Sequence, residues 1–263
     1  HAPPLNFRLQ IKQATAQVRA VTMHRFARRT HATVVDSGWK IHKFGGSSLA
    51  DEECFRRVTG ILLEYQEQRL GVVVSAMRGM TDSLINLAAL AEQDDSSFTD
   101  ALHGISKRYS KTAKALLAGE RLVAVLDSLG QDTNDIIDIL KAIARVKSAP
   151  QRSRDIVAGY GEIWCARLPA SYLEQESGGR GSIWADAREV ITVRETELGP
   201  AVLWEESQAK IDKLLPNEFS GFAVITGFIA VDEQGLQTTL GRNGSDYSAA
   251  IFAALTKASE LCI

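Results

Sequence analysis

Apolar and polar positions along this chain alternate between two rhythms. Residues 39–44 carry a short strand pattern. Asp51 then stands where a helix N-cap belongs. Behind it, Phe55, Val58, Ile61, Leu62 and Tyr65 fall at helical spacing. Gly71 precedes Val72-Val73-Val74-Ser75, a continuous apolar run typical of a strand buried on both faces. Leu84, Ile85, Leu87, Ala88 and Leu90 mark the next helix. Strand, helix, strand, helix is the rhythm of a parallel sheet.

The second half continues less regularly. Residues 98–146 read as helical, with breaks expected near Gly119 and Gly130. A further helix spans about 154–174, and Pro169 is expected to kink it or end it early. Gly178-Gly179-Arg180-Gly181 is a turn, followed by strand patterns at 182–185 and 190–193 and a helix over 202–215. Phe222-Ala223-Val224-Ile225-Thr226 is a second fully apolar strand, and Gly235 sits in a hairpin-like turn leading to Leu240. A helix over 245–256 follows, and the chain stops in an apolar run, Leu261-Cys262-Ile263, that reads as the start of a strand. The predicted class is α/β: one three-layer α/β/α sandwich over residues 37–263 with a mainly parallel central sheet, incomplete at its C-terminus.

Composition narrows the function. With 263 residues and 45% hydrophobic content the chain can bury a substantial core, while a net charge of -2 argues against a general nucleic-acid binder. No apolar run reaches membrane-spanning length. Cys54, Cys165 and Cys262 are odd in number and far apart, which suits reduced thiols better than a disulfide framework or a metal site. The first 36 residues differ from the rest. They hold Arg8, Lys12, Arg19, Arg25, Arg28 and Arg29 and no acid before Asp36. They read as a poorly ordered leader outside the core. A bacterial cytoplasmic setting is expected, with a plastid one open if this Arg-rich, acid-poor leader is a transit peptide.

Two glycine-rich corners carry the candidate chemistry: Lys43-Phe44-Gly45-Gly46-Ser47-Ser48 and Gly241-Arg242-Asn243-Gly244-Ser245-Asp246-Tyr247-Ser248. Each follows an apolar stretch, precedes a helix and offers one cation beside unshielded backbone N–H groups, which is the chemistry of a polyanion site. The first is neither a P-loop, whose lysine follows its glycines, nor a dinucleotide fingerprint. Taken singly, each residue has a plain structural use. Ser245 would cap a helix, Asp246 would favour its dipole, Ser75 would end a strand, Glu162 would lie on a helix surface and His42 would pack on the sheet.

Together the segments resemble the aspartate kinases of the amino acid kinase family. The resemblance covers residues 40–263. It rests on His42 to Ala50, Val72 to Ala76 with Thr81 after it, Gly161-Glu162, Gly227-Phe228-Ile229 and Leu240 to Ala249. The wording of both corners, with the blocks from Gly161 to Leu168 and from Trp184 to Glu189, is most similar to the kinase half of bifunctional aspartokinase/homoserine dehydrogenases. The resemblance implies transfer of a phosphoryl group from MgATP to the side-chain carboxylate of L-aspartate, at the start of lysine, threonine and methionine biosynthesis. It implies catalytic roles for Lys43 and Asp246, and phosphate binding by Lys43, Gly45, Gly46, Ser47, Gly244 and Ser245. It assigns Ser75, Thr81, Glu162 and Arg242 to the acceptor. Glu162 would orient aspartate, Arg242 would clamp a carboxylate, and Asp246 would hold the ammonium or act through the Mg²⁺ shell. No residue is assigned as a direct metal ligand, and a homo-oligomer is expected of the full-length protein. A sibling kinase acting on glutamate or acetylglutamate, or a non-catalytic fragment lacking the nucleotide segment, are the alternatives.

Overall fold

A computed structural model describes residues 38–66 and 68–263. The leader expected over 1–36 lies outside the described residues. Five strands, β1 (Trp39–Phe44), β2 (Arg69–Val74), β3 (Ser182–Ala185), β6 (Gly221–Thr226) and β9 (Glu260–Cys262), form one sheet in the order β3-β6-β2-β1-β9. All four pairings are parallel. The inner strands β2 and β6 are the two that contain the continuous apolar runs. Every residue of β6 is buried, and Val72, Val73 and Val74 are fully enclosed. Strands covered on both faces cannot alternate, so the sequence pattern and the burial agree.

Helices α1 (Glu52–Glu64), α2 (Met80–Glu92), α3 (Phe98–Leu116), α4 (Gly119–Val146), α5 (Gln151–Glu176), α6 (Trp204–Leu214) and α7 (Gly244–Thr256) cover the sheet. Asp51 caps α1 as expected, its carboxylate accepting from the Cys54 N–H at 3.0 Å. Two short antiparallel pairs complete the chain: β4 (Val193–Arg194) with β5 (Ala201–Val202), and β7 (Ile229–Val231) with β8 (Gln237–Thr239). The second is the hairpin expected around Gly235.

Three expectations need correction. The break at Gly119 is real, but α4 runs unbroken through Gly130. A mid-helix glycine costs only about 1 kcal/mol, and Val125, Leu129, Ile136, Leu140 and Ile143 bury a face across that point. Pro169 does not end α5, which continues to Glu176. The helix is buried from Val157 to Leu173 on nearly every side, and this packing outweighs the roughly 3 kcal/mol that an interior proline costs. Residues 190–193 do not make a full strand. A turn over Ala187–Glu189 precedes them, Thr192 makes only a single bridge to Val231, and the strand proper is Val193–Arg194.

Candidate functional site

Parallel pairing puts the C-terminal ends of β1, β2 and β6 side by side, with Phe44 opposite Val74 and Val74 opposite Thr226. The three segments that leave these ends must therefore share one edge of the sheet, where ligands of open α/β sheets bind. The ladder extends into them: the Ser75 N–H donates to Phe44 at 3.1 Å and the Gly227 N–H to Val74 at 3.0 Å. A cavity of about 610 Å³ opens there.

Of the eleven site positions singled out in the sequence, ten (Lys43, Gly46, Ser47, Ser75, Thr81, Glu162, Arg242, Gly244, Ser245 and Asp246) line this cavity. Gly45 lies just behind the wall, where an added Cβ would stand 3.5 Å from Lys43 Nζ. The absent side chain of Gly46 matters more. A Cβ there would come within 2.7 Å of the Ala76 carbonyl, so only glycine lets the first corner press against the loop after β2.

The two corners are joined directly. Lys43 Nζ lies 2.5 Å from Asp246 Oδ1, with the lysine side chain 13% exposed and the aspartate 30%. Asp246 is in the first turn of α7, whose N-terminal backbone faces the cavity through Gly244 and Ser245. Asn243, in the left-handed region at φ 57°, precedes the helix, so Ser245 lies inside α7 and is not its N-cap. Phe228 is also left-handed, at φ 70°. That conformation is strained for an aromatic residue. It is held on both sides: its N–H donates to Ser248 Oγ at 2.9 Å, and its carbonyl accepts from the Leu240 N–H at 2.7 Å. The ring lies against Gly244, where a Cβ would approach it to 2.7 Å.

Glu162 enters from α5. Gly161 beside it lets the helix approach Leu84, Ala76 and Met80, where a Cβ would stand 3.1 to 3.4 Å from each. The carboxyl is 4% exposed, and Oε2 has no hydrogen-bond partner among the described residues. Burial pushes its pKa up to about 8, against the opposing pull of the Ala76 backbone N–H, the Lys43 charge and the Ser245 hydroxyl. A buried carboxyl with an unused oxygen, facing a cavity, is suited to receive an ammonium group.

Sequence reasoning gave no role to Arg78, Asp82 or Phe228, which also line the cavity. Arg78 and Asp82 flank Thr81 in the loop and first turn after β2, so their position relative to Ser75 was the available signal. His42, buried at 4%, packs against Tyr65 with ring centroids 4.5 Å apart, as expected of a sheet residue. Among the described residues no group of three or more His, Cys, Asp or Glu is placed to hold a metal ion, and no helix is long and apolar enough to cross a membrane.

Residues 38–263 match the amino acid kinase family. The chain is 33% identical over 258 residues to the chloroplastic bifunctional aspartokinase/homoserine dehydrogenase 1 of Arabidopsis thaliana, covering 97% of this chain and 28% of that one. It is 34% identical to bifunctional aspartokinase/homoserine dehydrogenase 2 of Escherichia coli, covering 86% and 27%. The solved aspartokinase III of E. coli in complex with aspartate and ADP superposes with a TM-score of 0.69 at 26% identity, covering 84% of this chain and 47% of that one. The chain thus spans about a quarter of the length of these curated relatives and about half of the solved structure.

Proposed function

This chain belongs to the amino acid kinase family, and from that premise we propose that it forms the acceptor and phosphoryl-transfer part of an aspartate kinase. The observation that carries the reading is the Lys43–Asp246 pair, which joins the two glycine corners across one cavity. Phosphoryl transfer needs positioning and charge stabilisation more than covalent help from the protein. A side-chain carboxylate is already ionised at neutral pH, so its attack on phosphorus requires no general base.

In this reading the ammonium of Lys43 neutralises charge on the transferring group. The backbone N–H groups at Gly45, Gly46 and Ser245, with the Ser47 hydroxyl, hold phosphate oxygens, while Gly244, whose own N–H donates to the Gly241 carbonyl at 3.0 Å, lets the phosphate approach the second corner closely. Ser75 and Thr81 border the acceptor, Glu162 receives its ammonium and Arg242 clamps its α-carboxylate by paired hydrogen bonds. ATP fits the same edge, since it brings the polyanion that these donors suit. Mg²⁺ keeps several waters and rests on substrate phosphates plus one or two carboxylates. Asp246 and Asp82 are the cavity carboxylates able to serve it, and the ion would supply charge neutralisation on the phosphates.

Two relatives named as aspartokinases, and a structural neighbour solved with aspartate and ADP, support this acceptor over other amino acids. The match to the chloroplastic relative extends over 97% of the chain. Other chloroplastic relatives and the E. coli relative each cover 86% of it, so the setting is plastid if the Arg-rich leader acts as a transit peptide and bacterial cytoplasm if it does not. The direct test is a coupled assay of ADP release by the full-length protein with L-aspartate, L-glutamate and N-acetyl-L-glutamate compared side by side. Turnover confined to L-aspartate is expected; turnover with either of the others in its place would overturn the assignment.

A further inference from the structure

We propose that Arg108 is a positioning residue that locks the phosphate corner to the acceptor loop; the inference rests on the kinase reading above. Arg108 lies on α3, one residue from the buried Tyr109, and does not line the cavity. Its guanidinium reaches two separate loops. One terminal nitrogen donates to the Arg78 carbonyl at 2.9 Å, and the other donates to the Ala50 carbonyl at 3.1 Å.

Ala50 closes the first glycine corner. Arg78 closes the loop that begins at Ser75. These are the two segments that touch where Gly46 lacks a side chain: a Cβ there would meet the Ala76 carbonyl at 2.7 Å and the Arg78 backbone at 3.5 Å. Glycine permits the approach, but it cannot hold the loops together. The fork of Arg108 does so, because its two nitrogens are fixed in one plane and each serves one carbonyl. A lysine, with a single nitrogen, cannot match both directions.

The same helix also braces the floor of the cavity. The Tyr109 hydroxyl donates to the Trp164 carbonyl at 2.9 Å, two residues along α5 from Glu162. Consecutive residues of α3 therefore hold three walls of the site: the phosphate corner, the acceptor loop and the helix of Glu162. Arg108 itself is exposed, so its two hydrogen bonds bear on geometry far more than on the folded state.

The test uses the full-length protein with Arg108→Ala and Arg108→Lys. In Arg108→Ala, kcat with L-aspartate should fall about 10- to 100-fold, because small misplacements of reacting groups cost that much. KM for aspartate should move by no more than about twofold, because Arg108 contacts no ligand. Millimolar guanidinium should restore part of the lost kcat, and Arg108→Lys should lie between the two. A kcat within twofold of wild type, or a loss expressed only in KM, would overturn the proposal. A second readout needs no substrate. The Ser48 N–H donates to Gly45 and the Met80 N–H to Met77, so both amides report on the clamped loops. Hydrogen exchange should speed up about tenfold at both in Arg108→Ala and stay unchanged in β6; equal rates in wild type and variant would reject the clamp. If the wild type shows no aspartate-dependent turnover, the kinase reading fails, and the exchange measurement still decides the role of Arg108.

Discussion

Two buried carboxyls of this molecule have different fates. Asp132, on α4, is 8% exposed and Glu162, on α5, is 4% exposed. Burial raises the pKa of both. Asp132 is answered by a charged partner. Trp164 Nε1 donates to Oδ2 at 2.9 Å, and Arg167 donates to the same oxygen while its guanidinium stacks 4.4 Å over the Trp184 ring. Glu162, two residues before Trp164 on the same helix, keeps an oxygen that no described residue engages. One helix thus presents a closed polar network on one side and an open one on the other. A closed network is an element of structure; an open one facing a cavity is completed by a ligand. Charge and burial alone do not distinguish them; the enclosed Oε2 of Glu162, which has no partner among the described residues, does.

Substitutions can sharpen this contrast. The largest expected effect is at the open side: Lys43→Ala should lower kcat by about 10²- to 10³-fold, the usual loss when a group aimed at transition-state charge is removed. Circular dichroism and melting should show an intact fold, and unchanged turnover would detach the first corner from the chemistry. On the closed side, Asp132→Ala should leave Arg167 without its carboxylate and cost about 3 kcal/mol of stability in urea titrations. Activity per folded molecule should persist. If Asp132→Ala abolished turnover without loss of stability, the two carboxyls would not differ in the way described.

A smaller effect comes from titration of Glu162. Its folded pKa, about 8, lies above its unfolded value near 4.5. The folded state therefore keeps a proton that the unfolded chain releases, and stability falls as pH rises between those values. Glu162→Gln should flatten that slope and gain on the order of 2 kcal/mol at pH 8 over wild type, while weakening aspartate binding. A variant with the wild-type pH slope would place the raised pKa elsewhere. The smallest expected effect is Arg242→Ala, which should raise KM for aspartate about tenfold, with a lesser change in KM for ATP.

Much of this was legible in the sequence where local physics is decisive. The unbroken apolar runs at Val72–Val74 and Phe222–Thr226 could only be strands covered on both faces, and the parallel sheet follows from their alternation with helices. The glycine corners were visible as patterns, but their meeting was not, because Lys43 and Asp246 are joined by sheet register and not by sequence proximity. Glu162 read as an ordinary helix residue; its burial depends on Gly161 letting α5 settle against α2, a tertiary fact. The misreadings share one cause. Gly130 and Pro169 are local breakers whose cost is fixed, and in α4 and α5 the burial they would have to overcome is larger. Arg78 and Arg108 were hidden for the opposite reason: neither carries a local signal, and only the apposition of two loops gives them a place.

The most direct test of the open carboxyl is proton release. Titration calorimetry of L-aspartate into the full-length protein at pH 7, repeated in buffers of different ionisation enthalpy, counts protons exchanged on binding. An ammonium arriving at a Glu162 that is mostly protonated at this pH should displace about one proton per site, and Glu162→Gln should bind weakly and release none. Tight aspartate binding with no proton released would mean that Glu162 does not receive the acceptor.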